Sequence, residues 1–167
     1  TQLGLDISVL RMANLIGPDP FYRLRQKISF AHELIEMATR DRVIVLKSPP
    51  STPRNLLTRT LLHHDLEPLL DREVVEGRFE IFNLGSGATT TMAKLAQEIA
   101  RLAQHYNGKP VRVEHSLEST SAPLFHLDTT KIRSLAGPGV DDLAGELELV
   151  LDEVILGHSS ANEMSSK

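Results

Sequence analysis

The sequence predicts an α/β protein, because short apolar segments alternate with longer amphipathic segments along a chain of 167 residues. The apolar segments end at glycine or proline, as buried strands do, and the amphipathic segments carry apolar residues three and four positions apart, as helices do. The predicted strands cover residues 7–14, 43–46, 58–62, 79–84 and 111–114. The predicted helices cover residues 21–39, 66–72, 91–106, 129–135 and 141–156.

The composition supports a globular protein and argues against several functional classes. Hydrophobic residues make up 41% and charged residues 24% of the chain, so it can bury a core. The net charge of −4 argues against nucleic acid as a partner. Because cysteine is absent, the chain has no disulfide, thiolate metal site or cysteine nucleophile. No apolar segment approaches the roughly 20 residues of a membrane helix, so we expect no membrane partner and a cytoplasmic location.

The first predicted strand, residues 7–14, is apolar on both sides and ends before Gly17-Pro18. This pattern is typical of a strand inside a parallel sheet. Without neighbouring strands it would expose an edge that pairs with other chains, so we expect the isolated chain to dimerise or aggregate through it. The helix predicted next, at 21–39, begins its apolar side at Phe21 and Leu24.

Prolines interrupt the following part of the chain. Segment 48–53 holds three of the nine prolines and is predicted to be a loop. After the strand at 58–62, Asp65 is the predicted N-cap of the helix at 66–72, and Pro68 would lie in its first turn.

The clearest predicted helix, 91–106, starts after the N-cap Thr91 and stops at Asn107-Gly108. The last predicted helix is followed by a polar segment that we expect to fray. We therefore expect one structural region over 1–157 and a tail over 158–167.

The segment Gly85-Ser86-Gly87 lies between a predicted strand and a predicted helix, the order found around dinucleotide-binding loops. The third glycine position of that motif holds Thr90, and the segment lies past the middle of the chain. We therefore interpret it as a structural turn.

The other polar motifs define neither a catalytic nor a metal site. Adjacent residues of His63-His64-Asp65 would point to opposite sides of a strand, and a metal needs converging ligands. His126 and Asp128 lack a third ligand at matching spacing. The spacing around Ser86 does not match a nucleophile elbow. The sequence thus predicts no catalytic residue and no metal ligand.

Several segments, taken in order, resemble one protein family. They are LRMANLIGP at residues 10–18, HHDL at 63–66, FNLGSG at 82–87, TMAKLAQEI at 91–99 and LDTTKIRSLAG at 127–137. In this order and spacing they are similar to segments of the extended short-chain dehydrogenases/reductases, the NAD-dependent epimerase/dehydratase family.

The resemblance implies the C-terminal half of such a protein. The implied fold consists of late strands of a Rossmann-type parallel sheet plus a small α/β substrate-binding lobe, with the N-terminal dinucleotide-binding half absent. In the family, that half carries the glycine-rich phosphate loop and a Tyr-x-x-x-Lys pair. Here Tyr22 and Tyr106 are followed four residues later by Gln26 and Pro110, so the pair is missing. The chain also begins at Thr1 without a methionine, and we expect a fragment or a processed chain.

The same resemblance suggests site residues. Met12 and Ala13 would lie near the nicotinamide of the cofactor, and Asn14 would lie near the substrate. Arg59 is the candidate for gripping a diphosphate, because a planar guanidinium offers paired donors, and Arg54 is a second candidate.

The implied activity is that of an NAD(P)-dependent epimerase, dehydratase or reductase acting on a sugar or related polyol. NAD or NADP would bind the complete protein, and none is expected for this chain alone. Nucleotide-sugar epimerases place an arginine and an aspartate where this sequence has Glu118 and Ser121, which argues against a standard nucleotide-sugar pocket.

Two other functions remain open. The chain could be a non-catalytic binding or scaffold module, or one subunit of a split enzyme completed by a separate Rossmann chain. The expected partners are a sugar-like small molecule and either a second copy, in a homodimer, or the missing Rossmann half.

Overall fold

The computed structural model describes residues 4–19, 21, 24, 28–115 and 125–165. The strands are β1 (Ile7–Met12), β2 (Asn14–Ile16), β3 (Val43–Leu46), β4 (Pro53–Thr58), β5 (Phe79–Leu84), β6 (Thr89–Thr91) and β7 (Arg112–His115). The helices are α1 (Phe30–Glu36), α2 (Arg59–Asp71), α3 (Met92–Asn107), α4 (Thr130–Ala136) and α5 (Leu143–Ser165). A π-helical turn, Met37–Asp41, continues α1.

The strands form small sheets, two of them parallel pairs. β1 pairs with β5 in a register that runs from Ile7↔Phe79 to Met12↔Leu84. β3 pairs with β7 in a register that starts at Val43↔Arg112. A third sheet has the order β2-β4-β6. The predicted α/β class with parallel strands is confirmed.

The chain divides into two compact units. The first unit takes the described residues of 1–15, 55–89 and 124–142, and the second takes those of 16–54, 90–123 and 143–167. The core of the first unit is a cluster of buried side chains, namely Leu57, Leu61, Phe82, Leu84 and Ile132. Here α4 packs against both α2 and β5. One face of the β1–β5 pair is therefore covered by helices.

The first unit corrects three predictions around α2. The segment predicted as a strand at 58–62 is helical from Arg59, because the Thr58 hydroxyl caps the helix by accepting a hydrogen bond from Leu61 N at 3.2 Å. Asp65 is not an N-cap but lies inside α2, where it is fully buried. Pro68 is likewise inside the helix and not in its first turn.

The second unit is built around α3, on which α1 and α5 pack together with β3 and β7. The predicted cap is confirmed, because the Thr91 hydroxyl accepts a hydrogen bond from Lys94 N at 3.3 Å. Gly108 ends the helix in the left-handed conformation, with φ of 63°, and its N–H donates to Gln104 O at 2.9 Å. Leu95, Ile99 and Leu102 are buried, as an amphipathic helix requires.

Two helix boundaries of the second unit differ from prediction. α1 begins at Phe30 and not at residue 21, because Ser29 is its N-cap, while Phe21 and Leu24 are exposed. Residues 20, 22–23 and 25–27 of the predicted helix lie outside the described residues. α5 runs to Ser165, past the predicted end at residue 156, whereas fraying of 158–167 stays a prediction. Among the described residues, no helix is both long and apolar enough to cross a membrane.

Candidate functional site

A cavity of about 590 Å³ lies in the first unit. Its lining residues are Arg11, Met12, Ala13, Asn14, Asn55, Asn83, Phe125, His126, Leu127 and Asp128. The lining combines the apolar side chains of Met12, Ala13, Phe125 and Leu127 with side-chain amides, two basic groups and a single carboxylate. Such a surface suits a small molecule that has both apolar faces and hydroxyl groups.

The strand order explains why these residues meet. β1 and β5 are parallel, so both of their carboxyl ends lie at one edge of the pair. The ladder continues one step past β1, because Ala13 N donates to Leu84 O at 2.8 Å. Met12 is thus the last residue of β1, Ala13 and Asn14 follow it, and Asn83 is the last but one residue of β5.

Asn55 of β4 connects the two sides of the cavity wall. Its Nδ2 donates to Ser86 O at 3.1 Å and to Ala88 O at 3.2 Å. Its backbone oxygen accepts a hydrogen bond from Asn14 Nδ2 at 3.2 Å. Asn55 is only 3% exposed, so these bonds are shielded from water. The side chain therefore fixes the 86–88 turn beside Asn14.

Gly85 makes this close approach feasible. A Cβ at this position would collide with Asn55 Oδ1 and would lie 2.6 Å from Leu127 Cδ2 and 3.2 Å from Ala13 Cβ. The turn is further closed by Ser86, whose N donates to Leu56 O at 2.8 Å. These contacts agree with the interpretation of Gly85-Ser86-Gly87 as a structural turn.

The carboxylate of Asp128 is held in its ionised form. Hydrogen bonds from the hydroxyl and the N–H of Thr130 lower the pKa of Asp128. The bond from Thr130 N measures 2.9 Å, and Asn83 Nδ2 donates to the backbone oxygen of Asp128 at 2.9 Å. These bonds fix the segment that carries Phe125 and His126.

The predicted site residues fall into two groups. Met12, Ala13 and Asn14 line the cavity together. Arg59 is the exposed first residue of α2 and does not line it. Arg54 directly precedes Asn55 in β4 and is partly exposed. Glu118 and Ser121 lie outside the described residues.

The sequence interpretation missed Asn55, Asn83 and Phe125 as lining residues. One signal was available, because Asn83 belongs to the FNLGSG segment that carries the family resemblance. Asn55 lies between the predicted loop at 48–53 and the predicted strand at 58–62, and no sequence spacing links it to Asn14.

The His63-His64-Asp65 motif has a structural explanation in the first unit. The buried Asp65 forms an ion pair with the partly exposed Arg133, and His64 Nδ1 lies 3.2 Å from Asp65 Oδ1. Arg133 belongs to α4, so the pair joins α2 to α4. In the part of the chain that the structure describes, no group of three His, Cys, Asp or Glu residues is placed to hold a metal ion.

No family model matches the sequence, and no curated protein matches it. Solved structures do match. The UDP-N-acetylglucosamine 4-epimerase from Bacillus cereus matches with a TM-score of 0.68 and 21% identity, over 90% of this chain and 46% of that one. The UDP-glucose 4-epimerase from Thermotoga maritima matches with a TM-score of 0.64 and 20% identity, over 90% and 46%. An NAD-dependent NDP-hexosamine 5,6-dehydratase of tunicamycin biosynthesis matches with a TM-score of 0.61 and 17% identity, over 89% and 45%.

These matches define the fold class. The chain has the fold of part of the NAD-dependent UDP-sugar epimerases and of a related dehydratase, as the sequence resemblance predicted. It spans a little less than half the length of each of these solved chains.

Proposed function

We propose that this chain is the substrate-binding portion of an NAD(P)-dependent sugar epimerase, dehydratase or reductase. One observation carries the proposal. The cavity lies at the carboxyl ends of parallel strands, where α/β proteins bind their ligands, in a chain with the sugar-epimerase fold. The substrate class would be a sugar or a related polyol, for which UDP-glucose, the ligand of the matched epimerase from Thermotoga maritima, is the probe.

Asn14 is the proposed substrate-binding residue. One of its two N–H groups donates to Asn55 O, which fixes the orientation of the amide. The carbonyl oxygen and the second N–H then serve a ligand hydroxyl, which both donates and accepts hydrogen bonds. The ring of Phe125, which is 46% exposed, offers an apolar face to the carbon side of a sugar.

Met12 and Ala13 would contact the nicotinamide end of NAD or NADP. Their small or flexible apolar side chains suit a flat ring. The bound cofactor would take up and return a hydride. The cavity would fit only the nicotinamide end of the cofactor. We interpret Gly85-Ser86-Gly87 as a structural turn, so it would not bind the phosphates of the cofactor.

Catalysis would need groups from outside these 167 residues. None of the ten residues that line the cavity is a tyrosine or a lysine, the pair that the family uses for proton transfer. The chain alone would therefore bind substrate without turning it over. The same observation supports the second candidate, a non-catalytic binding module.

Several finer assignments belong to the proposal. Arg59 would reach a diphosphate from the start of α2, outside the cavity lining. The complete protein would act in the cytoplasm and would be either a homodimer or a two-part assembly.

The test is calorimetric titration of the 167-residue chain with UDP-glucose. We expect Asn14→Ala and Phe125→Ala each to weaken binding about 3- to 10-fold, the cost of one neutral hydrogen bond or one aromatic contact. Asn107→Ala, at the end of α3 in the second unit, is the matched control and should bind like the native chain. Equal affinities for all four proteins would contradict the proposal, as would the absence of binding.

A further inference from the structure

Ser29, His32 and Glu153 of the second unit form a chain of side-chain contacts. Ser29 Oγ lies 2.7 Å from His32 Nδ1, and His32 Nε2 lies 3.4 Å from Glu153 Oε2. A serine, a histidine and a carboxylate in this order are the parts of an activated nucleophile. None of the three residues lines the cavity of the first unit, so the proposed sugar site does not use them.

The neighbours of the imidazole ring determine which nitrogen carries its proton. An ionised carboxylate only accepts hydrogen bonds, so in the neutral ring Nε2 carries the proton and donates a hydrogen bond to Glu153. Nδ1 is then an acceptor, and the Ser29 hydroxyl donates to it. The backbone N–H of Asp19 also donates to Glu153 Oε2, at 2.8 Å, and holds this carboxylate in place. The proton of the Ser29 hydroxyl therefore points at a base.

The base is shielded from water, whereas the hydroxyl is accessible. The side chains of His32 and Glu153 are 4% and 17% exposed, and they belong to α1 and α5, which pack on each other. Ser29 directly precedes α1 and is exposed. Its Oγ accepts one hydrogen bond, from His32 N at 3.3 Å, and a second lone pair stays available for attack.

Helix capping alone does not explain this arrangement. As the N-cap of α1, Ser29 needs only to accept the hydrogen bond from His32 N. In a capping box, the residue at the position of His32 is Glu or Gln, and its side chain bonds the backbone N–H of the cap residue. Here a ring contacts the cap hydroxyl instead and has a carboxylate behind it, and a cap requires neither.

A groove next to Ser29 indicates which substrates could reach the hydroxyl. Ile28, the residue before Ser29, lines a groove of about 600 Å³, and Met37 is a second apolar lining residue. The charged lining side chains are three carboxylates and two cations, so the groove has a net negative charge. An uncharged acyl group suits this lining, whereas an anionic one would be repelled.

We propose that Ser29 is a nucleophile and that the second unit hydrolyses uncharged carboxylic esters. Ser29 Oγ attacks the carbonyl carbon while its proton passes to His32 Nδ1. The bond to the alkoxy oxygen then breaks, and the alcohol leaves with that proton. Water next attacks the acyl group and gives a proton to His32, the bond to Oγ breaks, and Oγ takes the proton back as the acid leaves. Glu153 is a positioning residue that orients the ring and stabilises its charged form.

Labelling of the native 167-residue chain with diisopropyl fluorophosphate tests the nucleophile. Oγ of an activated serine bonds to the phosphorus and displaces fluoride, and peptide mass spectrometry locates the adduct. We expect one adduct, on Ser29. Ser134 is the matched control, because it is exposed but its hydroxyl donates to Lys131 O at 2.8 Å. An unlabelled Ser29, or equal labelling of Ser29 and Ser134, would overturn the proposal.

Hydrolysis of p-nitrophenyl acetate tests the activity. Ser29→Asn keeps a capping oxygen but removes the nucleophile, and it should lower the rate by about 100-fold or more. Ser134→Ala should leave the rate unchanged. Equal rates for the native chain and folded Ser29→Asn would contradict ester hydrolysis. The labelling experiment uses the native chain, so it decides the role of Ser29 even if Ser29→Asn does not fold.

Two further variants separate chemistry from a structural role. His32→Ala should lose the activity, and added imidazole should restore part of it by supplying the missing base. Glu153→Gln should lower the rate by about 100-fold, whereas Glu153→Asp, which keeps the charge, should lose less. The absence of imidazole rescue, or equal losses for the two Glu153 variants at unchanged melting temperature, would mean that the contacts only support the fold.

These measurements involve no sugar ligand, so their outcome does not depend on whether the first unit binds UDP-glucose.

Discussion

The two parallel strand pairs of this protein differ in the side chains on their more exposed face. In the β3–β7 pair, the face opposite α3 carries Val45, 39% exposed, beside Arg112 and Glu114, whose charged groups lie 3.7 Å apart. In the β1–β5 pair, the more exposed face, which we call the open β1 face, carries Val9, Phe79 and Ile81 together with the charge of Arg11.

This difference predicts that the two surfaces associate with other molecules to different extents. Charged pairs on strands prevent edge-to-edge association, and β7 has such a pair. The open β1 face has apolar side chains and a cation without a counter-charge among the described residues. Architecture alone does not tell the two pairs apart, since both are parallel and two-stranded.

We expect the largest loss of stability when the ion pair between α2 and α4, the helices on the covered face of β1–β5, is removed. Asp65→Asn removes the buried charge that pairs with the partly exposed Arg133, and we expect it to lower the free energy of unfolding by about 1.5–3 kcal/mol. Urea denaturation followed by circular dichroism measures the change. Asp71→Asn, at the exposed end of α2, is the control, and equal midpoints for the two variants would show that the pair does not hold α2 to α4.

A lysine placed on the exposed face of each strand pair tests whether the two faces differ in self-association. Val9→Lys should weaken self-association of the isolated chain on the order of tenfold, because it breaks the apolar surface of the open β1 face. Val45→Lys should leave self-association unchanged. Sedimentation velocity over a concentration series gives both numbers. If the chain stays monomeric at high concentration, or if the two lysines have equal effects, the expected difference between the two faces is wrong.

We expect Asp6, at the amino end of the β1–β5 pair, to make the stability of the first unit sensitive to acid. Hydrogen bonds from Arg78 and from Val75 N lower the pKa of Asp6 from its ordinary 3.8 to about 2. Because the folded-state pKa is the lower one, this contribution to stability is present above pH 4 and is lost as the pH falls towards 2. Thermal melting between pH 5 and pH 2 should show a shallower decline for Asp6→Asn than for the native chain. Parallel curves would contradict the assignment.

The smallest effect is expected on the β3–β7 pair. Glu114→Gln removes an ion pair whose side chains are 73% and 53% exposed. Water screens such pairs, so the free energy of unfolding should change by less than about 0.5 kcal/mol. A larger loss in urea denaturation would mean that this face is not simply a solvated surface.

Local signals explain which parts of the fold could be predicted. β3 and β5 match their predicted bounds, and α3 differs by one residue at each end, because the Thr91 cap and Gly108 mark its ends within the sequence itself. The prediction for α2 was wrong because residues 58–62 were assigned to a strand and the cap to Asp65. In the structure Thr58 caps the helix, and Asp65 lies inside it in contact with Arg133, 68 residues away.

The candidate site was predictable in part for the same reason. Met12, Ala13 and Asn14 are contiguous and belong to one recognisable segment. Asn55 joins them only through hydrogen bonds to Asn14, Ser86 and Ala88, over sequence separations of 31 to 41 residues. A single sequence contains no record of such pairings.

We propose that the first unit contains a sugar-binding site. Titration of the isotope-labelled chain with UDP-glucose, followed by amide NMR, tests this proposal. We expect saturable shifts for Asn14, Asn55 and residues 125–128, with the second unit unaffected. Shifts confined to the second unit, or none at all at millimolar ligand, would contradict it.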